Sequence, residues 1–322
     1  MTRVKTPRLV SLLSRLWAAD APLTAVGLLM IALLGVAAVG LMIDPRVVTG
    51  APVWLKPAKF AASIAIYTLT LAWVFTYLAP WTRTRRIVSR TTVVVMVLEW
   101  AIIALQAWRG TTSHFNMSTA LDATLFSVMG GAIILQTFTS VAVAVALWRQ
   151  HFNDRALGWA LRLGMTITIV GALTGGLMTR PTSLQLEQLR AGQAVAVIGG
   201  HTVGAVDGGP GLPGTGWSVE HGDLRVAHFI GLHALQALAL LALVLGRRRS
   251  RDGAPARVVI VAGASYALLY ALLVWQALRG ESVANPEMTT VVALAAWAAA
   301  TAGAVWIALT RVRATHVHAI QY

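Results

Sequence analysis

Apolar and polar positions in this chain alternate in long blocks rather than residue by residue. Mostly apolar runs occupy Leu23–Ile43, Phe60–Ala79, Thr91–Trp108, Leu121–Trp148, Leu157–Thr179, Val226–Gly246, Val258–Leu278 and Met288–Thr310. A helix of about 20 such residues crosses the roughly 30 Å hydrocarbon core of a bilayer. Lipid offers no partner to an isolated strand's backbone groups, so each run is expected to be helical. The expected fold class is all-α, a polytopic membrane protein with eight transmembrane helices. Ahead of the first run, Arg8–Trp17 sets apolar side chains at 9, 12, 13 and 16 between Arg8 and Arg15. That spacing predicts a short helix lying in the interface, so residues 1–22 are read as a cytoplasmic interfacial segment. The first long run exceeds the apolar core of a signal peptide and reads as a retained span.

Composition sharpens this picture. Hydrophobic residues make up 57% of 322 positions and charged residues 12%, which excludes an ordinary soluble domain. The net charge of +14 would suit nucleic acid if it were clustered on one surface. Instead the basic residues sit in short loops on alternate sides of the spans. Eighteen of the 26 Lys and Arg residues fall on the N-terminal side, among them Arg83, Arg85, Arg86, Arg90, Arg155, Arg162, Arg257, Arg311 and Arg313. The positive-inside rule then places both termini in the cytoplasm of a bacterial inner membrane, and no nucleic-acid partner is expected. Trp54, Trp81, Trp108, Trp148, Trp159 and Trp275 fall near run ends, where an indole suits the headgroup level. There is no cysteine, which removes disulfides, thiolate metal sites and thiol catalysis.

The two halves match in order. Leu55-Lys56-Pro57-Ala58-Lys59-Phe60 opens the second run as Leu224-Arg225-Val226-Ala227-His228-Phe229 opens the sixth, and Gln106-Ala107-Trp108-Arg109-Gly110 closes the third as Gln276-Ala277-Leu278-Arg279-Gly280 closes the seventh. Gly40-Leu41-Met42 and Gly176-Leu177-Met178, each followed by a proline, end the first and fifth. The expected organisation is two parallel four-helix repeats, 23–148 and 157–310, followed by a cytoplasmic tail, 311–322. The second repeat carries a periplasmic insertion at 180–225. It has a helical opening, Ser183–Arg190, ended by Gly192, and a Gly/Pro-rich body. We expect it to fold down over the outer helix ends.

Candidate chemistry concentrates at Gly222–Gln236, which carries Asp223, Arg225, His228, His233 and Gln236 into the sixth run. Polar groups are costly in hydrocarbon and mark functional sites. Lys56, Lys59, Arg109, Arg180, Arg225 and Arg279 gather on the side that is otherwise poor in basic residues. Snorkelling to headgroups accounts for some of them; an outward-facing basic cavity at the repeat interface, suited to an anion, accounts for their recurrence. His228 and His233 are five residues apart, about 140° around a helix, so they cannot share a face. His233 and Gln236 can. A haem or metal ion would need a further ligand, His114 or His201, with Glu99 or Asp122 as carboxylates. Glu99 lies about 13 Å inside the end of its span, suited to carrying a proton or to balancing a cation; Gln136 and Tyr266 or Tyr270 could line the same interior. In 111–116 and 281–285 an Asn precedes the next span, a position that suggests capping, whereas His114 has no counterpart. No Walker loop, dinucleotide Gly fingerprint, His-Glu-x-x-His or Gly-x-Ser-x-Gly occurs.

The segments Trp54–Phe60, Arg109–Asn116 and Asp207–Pro213, followed by Gly222–Gln236, together resemble a family of bacterial eight-helix inner-membrane proteins, a resemblance that brings no activity with it. The four-plus-four plan is also similar to haem A synthase. That enzyme's haem-ligating histidines lie in both halves, whereas here the first half has no histidine within a span. Three readings follow. In the first, a periplasm-facing pocket formed by Lys56, Lys59, Arg109, His114, Arg225, His228, His233, Gln236 and Arg279 binds an anionic small molecule, lipid or quinone-like ligand. In the second, a membrane oxidoreductase holds haem or a metal at His228 or His233 with His114, and His233 acts in catalysis. In the third, Glu99 couples a transporter to protons.

Overall fold

The computed structural model describes residues 8–246 and 253–318, and these are mostly helical, with irregular loops and two short two-stranded ladders between the helices. In order, they form α1 (Arg8–Ala19), α2 (Ala21–Ile43), β1 (Val47–Val48), β2 (Ala51–Pro52), α3 (Leu55–Phe75), α4 (Thr82–Trp108) and α5 (Ala120–Arg149). After these come α6 (Arg155–Met178), α7 (Ser183–Arg190), β3 (Thr202–Val203), β4 (Gly222–Asp223), α8 (Leu224–Leu232), α9 (Ala234–Gly246), α10 (Ala254–Leu278) and α11 (Met288–His318). Seven helical segments are long and apolar enough to cross a membrane, and α8 with α9 supplies an eighth if that bent pair is one span. This is an all-α, multi-pass membrane architecture. The basic residues 3 and 5, those at 247–251 and the last four residues of the tail lie outside the described residues.

Helix ends differ from the hydropathy boundaries where polar residues extend a helix. α3 starts at Leu55 rather than Phe60, α4 already includes Arg83–Arg90, and α11 runs on to His318. The chain divides into two compact units. The first holds residues up to Ala146 together with Ala194–Val197, and the second holds Leu147–Gln193 and the chain from Ile198 on.

In the first unit, α2 packs on α3 and α4, and α1 contacts α2 and α3. Met30, Ile64, Val95 and Met96 form one apolar cluster; Ile102, Ile103 and Met129 form another that ties α4 to α5. Asp20 caps α2 by accepting the Leu23 N–H at 3.0 Å, and the same oxygen accepts the Ser89 hydroxyl at 2.8 Å. Such a cap is worth about 1 kcal/mol.

In the second unit, α6 packs against α8, α9 and α10, with α11 against α10. Asp154 caps α6 through the Leu157 N–H at 3.0 Å. The α6–α8 approach depends on paired glycines, since a Cβ on Gly171 would stand 2.5 Å from the Gly231 Cα. The run expected as a single span, Val226–Gly246, is broken at His233, and its two helices are bent by 44°. The cause is hydroxyl insertion from other helices, one of the recognised origins of sharp kinks. Thr168 of α6 donates to the Leu232 carbonyl and accepts the Leu235 N–H, both at 3.3 Å, while Tyr266 of α10 donates to the Ile230 carbonyl at 2.6 Å.

The long insertion opens with α7, whose Thr182 and Gln185 form a reciprocal capping box, and Gly192 follows with φ 71°. Within the second unit it turns back onto the helix ends. β3 pairs with β4, Leu224 N donates to the His201 carbonyl, and the Ser282 hydroxyl donates to the Ser218 carbonyl at 2.7 Å. Val197 instead bridges Asn116 in the first unit.

Candidate functional site

Arg109 and Arg279, which close matching spans in the two halves, are held by acids. In the first unit Arg109 meets Asp122 at 2.6 Å, and the same carboxylate accepts from Gln106 at 2.8 Å and from the Thr119 hydroxyl at 2.6 Å. In the second, Arg279 meets Glu287 at 2.5 Å and Glu281 at 3.7 Å, and Glu281 accepts the Thr290 hydroxyl at 2.6 Å. Gln106 donates to the Thr112 carbonyl at 3.3 Å and Gln276 to the Ser282 carbonyl at 3.0 Å, the acceptor six residues on in both. The glycine after each arginine has positive φ, 72° at Gly110 and 76° at Gly280. These matched residues therefore build a polar clamp that turns the chain from one helix to the next.

Arg46 and Arg225 form a second kind of pair, each forking onto the aspartate two residues before it, at 2.7 Å to Asp44 and 2.6 Å to Asp223. The Arg46 hydrogen bonds, followed by that of Trp54, hold the Asp44 carboxyl well below the usual carboxylate range. Asn116 does not cap α5. Its side chain accepts from Ser118 and donates to Thr111 and Thr112, while Thr119 accepts the Asp122 N–H at 3.1 Å.

The candidate histidines and lysines divide between the units. Lys56, Lys59, Glu99 and His114 belong to the first; His228, His233 and Gln236, with Arg225 and Arg279, belong to the second. His228 donates Nδ1–H to the Gly171 carbonyl at 2.8 Å, since a carbonyl can only accept. His233 closes α8 and stacks on Phe229 with centroids 4.4 Å apart, and Trp217 of the insertion covers Phe229 at 5.7 Å. The two histidines thus engage different neighbours. Among the described residues no three His, Asp or Glu side chains converge as a metal site. His201 donates Nδ1–H to Asp207 at 2.7 Å, and Asp207 also accepts the His201 and Thr202 N–H groups. Burial acts to raise the Asp207 carboxyl, but the His201 hydrogen bond and charge outweigh it and hold the group well below the usual range.

The most unusual chemistry lies in the first unit, at the end where α3 begins, α4 finishes and α5 starts. The Trp100 indole donates to the Pro57 carbonyl at 3.1 Å, which sets the middle of α4 level with the first turn of α3. Glu99, next to Trp100, is 2% exposed and its Oε1 has no hydrogen-bond partner among the described residues. Lys56, half-buried on that first turn, is close enough to act on Glu99 electrostatically, and Lys59 is exposed one turn on. His114 lies among rings, with centroids 5.8 Å from Phe60, 6.0 Å from Phe115 and 6.4 Å from Phe126, and shares a 3.1 Å hydrogen bond with Ser113. Phe115 is buried with φ 62°, a left-handed conformation that costs a bulky residue about 1–3 kcal/mol and collects at functional sites. Sequence reasoning missed Phe115, Phe126 and Trp100; the aromatic spacing around His114 was the available signal. Searches against protein families, curated proteins and solved structures find no match.

Proposed function

We propose that this is a bacterial inner-membrane protein, built as two four-span repeats with both termini cytoplasmic, whose first unit carries an outward-facing site for an anionic or quinone-like ligand. Membrane residence follows from the apolar helices; orientation rests on the basic residues; the repeat is supported by the twin Gln–Arg–Gly clamps. The observation that carries the ligand reading is Glu99, a buried carboxylate with an unpartnered oxygen beside Lys56, whose helix carries Phe60 of the His114 ring cluster one turn on. An orphaned buried acceptor costs about 1–3 kcal/mol, a cost that a ligand hydroxyl donating to Oε1 removes. Lys56 and Lys59 supply positive charge for the ligand's acidic or carbonyl end, and Phe60, Trp100 and Phe126 supply a wall for a ring. Arg109 contributes no net charge here, being bound by Asp122.

Titration of the detergent-purified protein with a short-chain quinol, the reduced form whose hydroxyl can donate to Glu99, read by tryptophan fluorescence, tests this reading. Saturable quenching is expected in the wild type and is expected to be lost in both Trp100→Phe and Glu99→Gln. Quenching that rises linearly with quinol, or saturates identically in both variants, sinks the quinone-like assignment. A proton-coupled transporter is the second reading, favoured by the broken α8–α9 span, because discontinuous spans recur at transport sites.

A further inference from the structure

One face of α4 carries polar residues at intervals along its length. Arg85, Ser89, Thr92, Glu99 and Gln106 follow one another at three- and four-residue steps, with Met96 and Ile103 filling the two remaining places. Residues so spaced share one side of a helix. From Ser89 to Gln106 all of them are buried. Near the Met96 gap, polar groups come from the facing helices. Tyr67 of α3 accepts from Gln136 of α5 at 2.9 Å and is 3.3 Å from the Ser140 hydroxyl, and the Tyr67 ring packs against the Met96 cluster. On the other side nothing polar bridges the gap among the described residues, because Ile103 is packed with Ile102, Met129 and Leu125.

Besides Arg85 Nε at its start, three buried atoms along this row have no hydrogen-bond partner among the described residues: Thr92 Oγ1, Glu99 Oε1 and, from the facing α5, Gln136 Oε1. Their residues are 0%, 2% and 5% exposed. Buried polar groups are satisfied by protein or by ordered water, and a row of orphaned polar atoms is where water belongs. Ser89, donating to Asp20, ends the row where α2 begins and Arg85 reaches the Ala19 carbonyl. From Ser89 to Glu99 the distance is about 15 Å.

We infer that α3, α4 and α5 enclose a one-sided water track that runs from the Asp20–Arg85 end past Thr92 and Gln136 to Glu99, and that protons reach and leave the Glu99 carboxylate by it. The proton passes from a water O–H to a Glu99 oxygen as that water takes another proton from its neighbour, so charge and atoms balance along the row. The ionisable groups bordering the path are Asp20 and Arg85 at its mouth, Tyr67 along its side and Lys56 beyond Glu99. Ile103 closes it toward Gln106. The track is read from the first unit alone and stands whether or not a ligand binds above Lys56.

The chain has no cysteine, so a single introduced thiol is read without background. In full-length protein reconstituted in vesicles, Thr92→Cys is expected to react with methanethiosulfonate ethylammonium at least about tenfold faster than Val95→Cys, because the reactive thiolate forms in water. Both positions are buried, so exposure alone predicts no difference. Equal rates overturn the hydrated track. For the proton, deuterium exchange is followed by infrared spectroscopy on the carboxyl band that disappears in Glu99→Gln. The expected result is rapid exchange in the wild type, slowing of about tenfold in Gln136→Leu and the wild-type rate in Thr92→Ser, which keeps the hydroxyl. A Glu99 band that does not respond to deuterium, or that responds equally fast in Gln136→Leu, overturns the proton role. Neither outcome depends on the quinol titration, so the two proposals fail separately.

Discussion

Thr168→Val tests the cause of the broken span with little change of volume. The substitution removes one hydroxyl and with it two hydrogen bonds, from Leu235 N–H and to the Leu232 carbonyl, both at 3.3 Å. Hydrogen bonds measured inside membrane proteins average about 0.6 kcal/mol, which sets a floor near 1.2 kcal/mol for the pair. Thr168 is 6% exposed, so the two backbone groups it leaves are not rescued by bulk water, and an unmet buried group costs about 1–3 kcal/mol. The long distances argue for the lower part of that range, giving about 2 kcal/mol in all. Reversible unfolding in mixed detergent micelles measures it, with Thr179→Val as control, because that exposed hydroxyl bonds only within its own helix. A double-mutant cycle with Tyr266→Phe should show coupling, since both hydroxyls serve the same turn. If Thr168→Val is neutral and α8–α9 keeps its bend, the hydroxyl does not cause the break and the explanation fails.

Further outcomes follow from the same geometry. Gly171→Ala sets a Cβ 2.5 Å from the Gly231 backbone, where nothing flexible can yield; the folded protein should be lost on size exclusion, and normal recovery would refute the close approach. Asp122→Ala leaves Gln106, which is 0% exposed, without its carboxylate partner and Arg109 without its ion pair. The expected loss is about 2–4 kcal/mol by chemical unfolding, near the low end because Arg109 is partly exposed and can turn to water. The Asp207 carboxyl has a folded-state pKa below its unfolded one. Its stabilisation of the insertion is therefore complete above the ordinary carboxylate value of about 4 and lost as pH falls through the folded value. Proteolysis at 200–210 should not rise on acidification from pH 8 to 5 and should rise only in stronger acid; a rise near pH 6 would contradict the assignment. His114→Cys in whole cells should react with an impermeant maleimide, and reaction only after permeabilisation would reverse the proposed orientation.

Much of the helical framework is legible because each span is a block of apolar residues that lipid forces into a helix. The insertion's short helix is legible too, since Gly192 stops it where its φ turns positive. What hydropathy does not show is the break at His233, because the hydroxyls that hold it come from residues 168 and 266, distant in the chain and brought near only by packing. The recurring arginines show as charge, yet their partners lie across a turn: Asp122 is thirteen residues beyond Arg109, and Glu287 eight beyond Arg279. Charge counting therefore reads a basic cluster where the fold makes ion-paired clamps. Glu99 stands out in the sequence as a carboxylate inside a span, but the row it belongs to is masked by Met96 and Ile103, which belong to the apolar core of the same face.

The account turns on the cluster of Lys56, Glu99 and His114. Its most direct test is mass spectrometry of the small molecules and lipids that stay with the purified protein, compared between the wild type and the Lys56→Ala/Lys59→Ala double variant. A ring-bearing or acidic species present near one per chain in the wild type and missing from the variant is the predicted result. The same complement of bound molecules in both would contradict a ligand site at this end of the first unit.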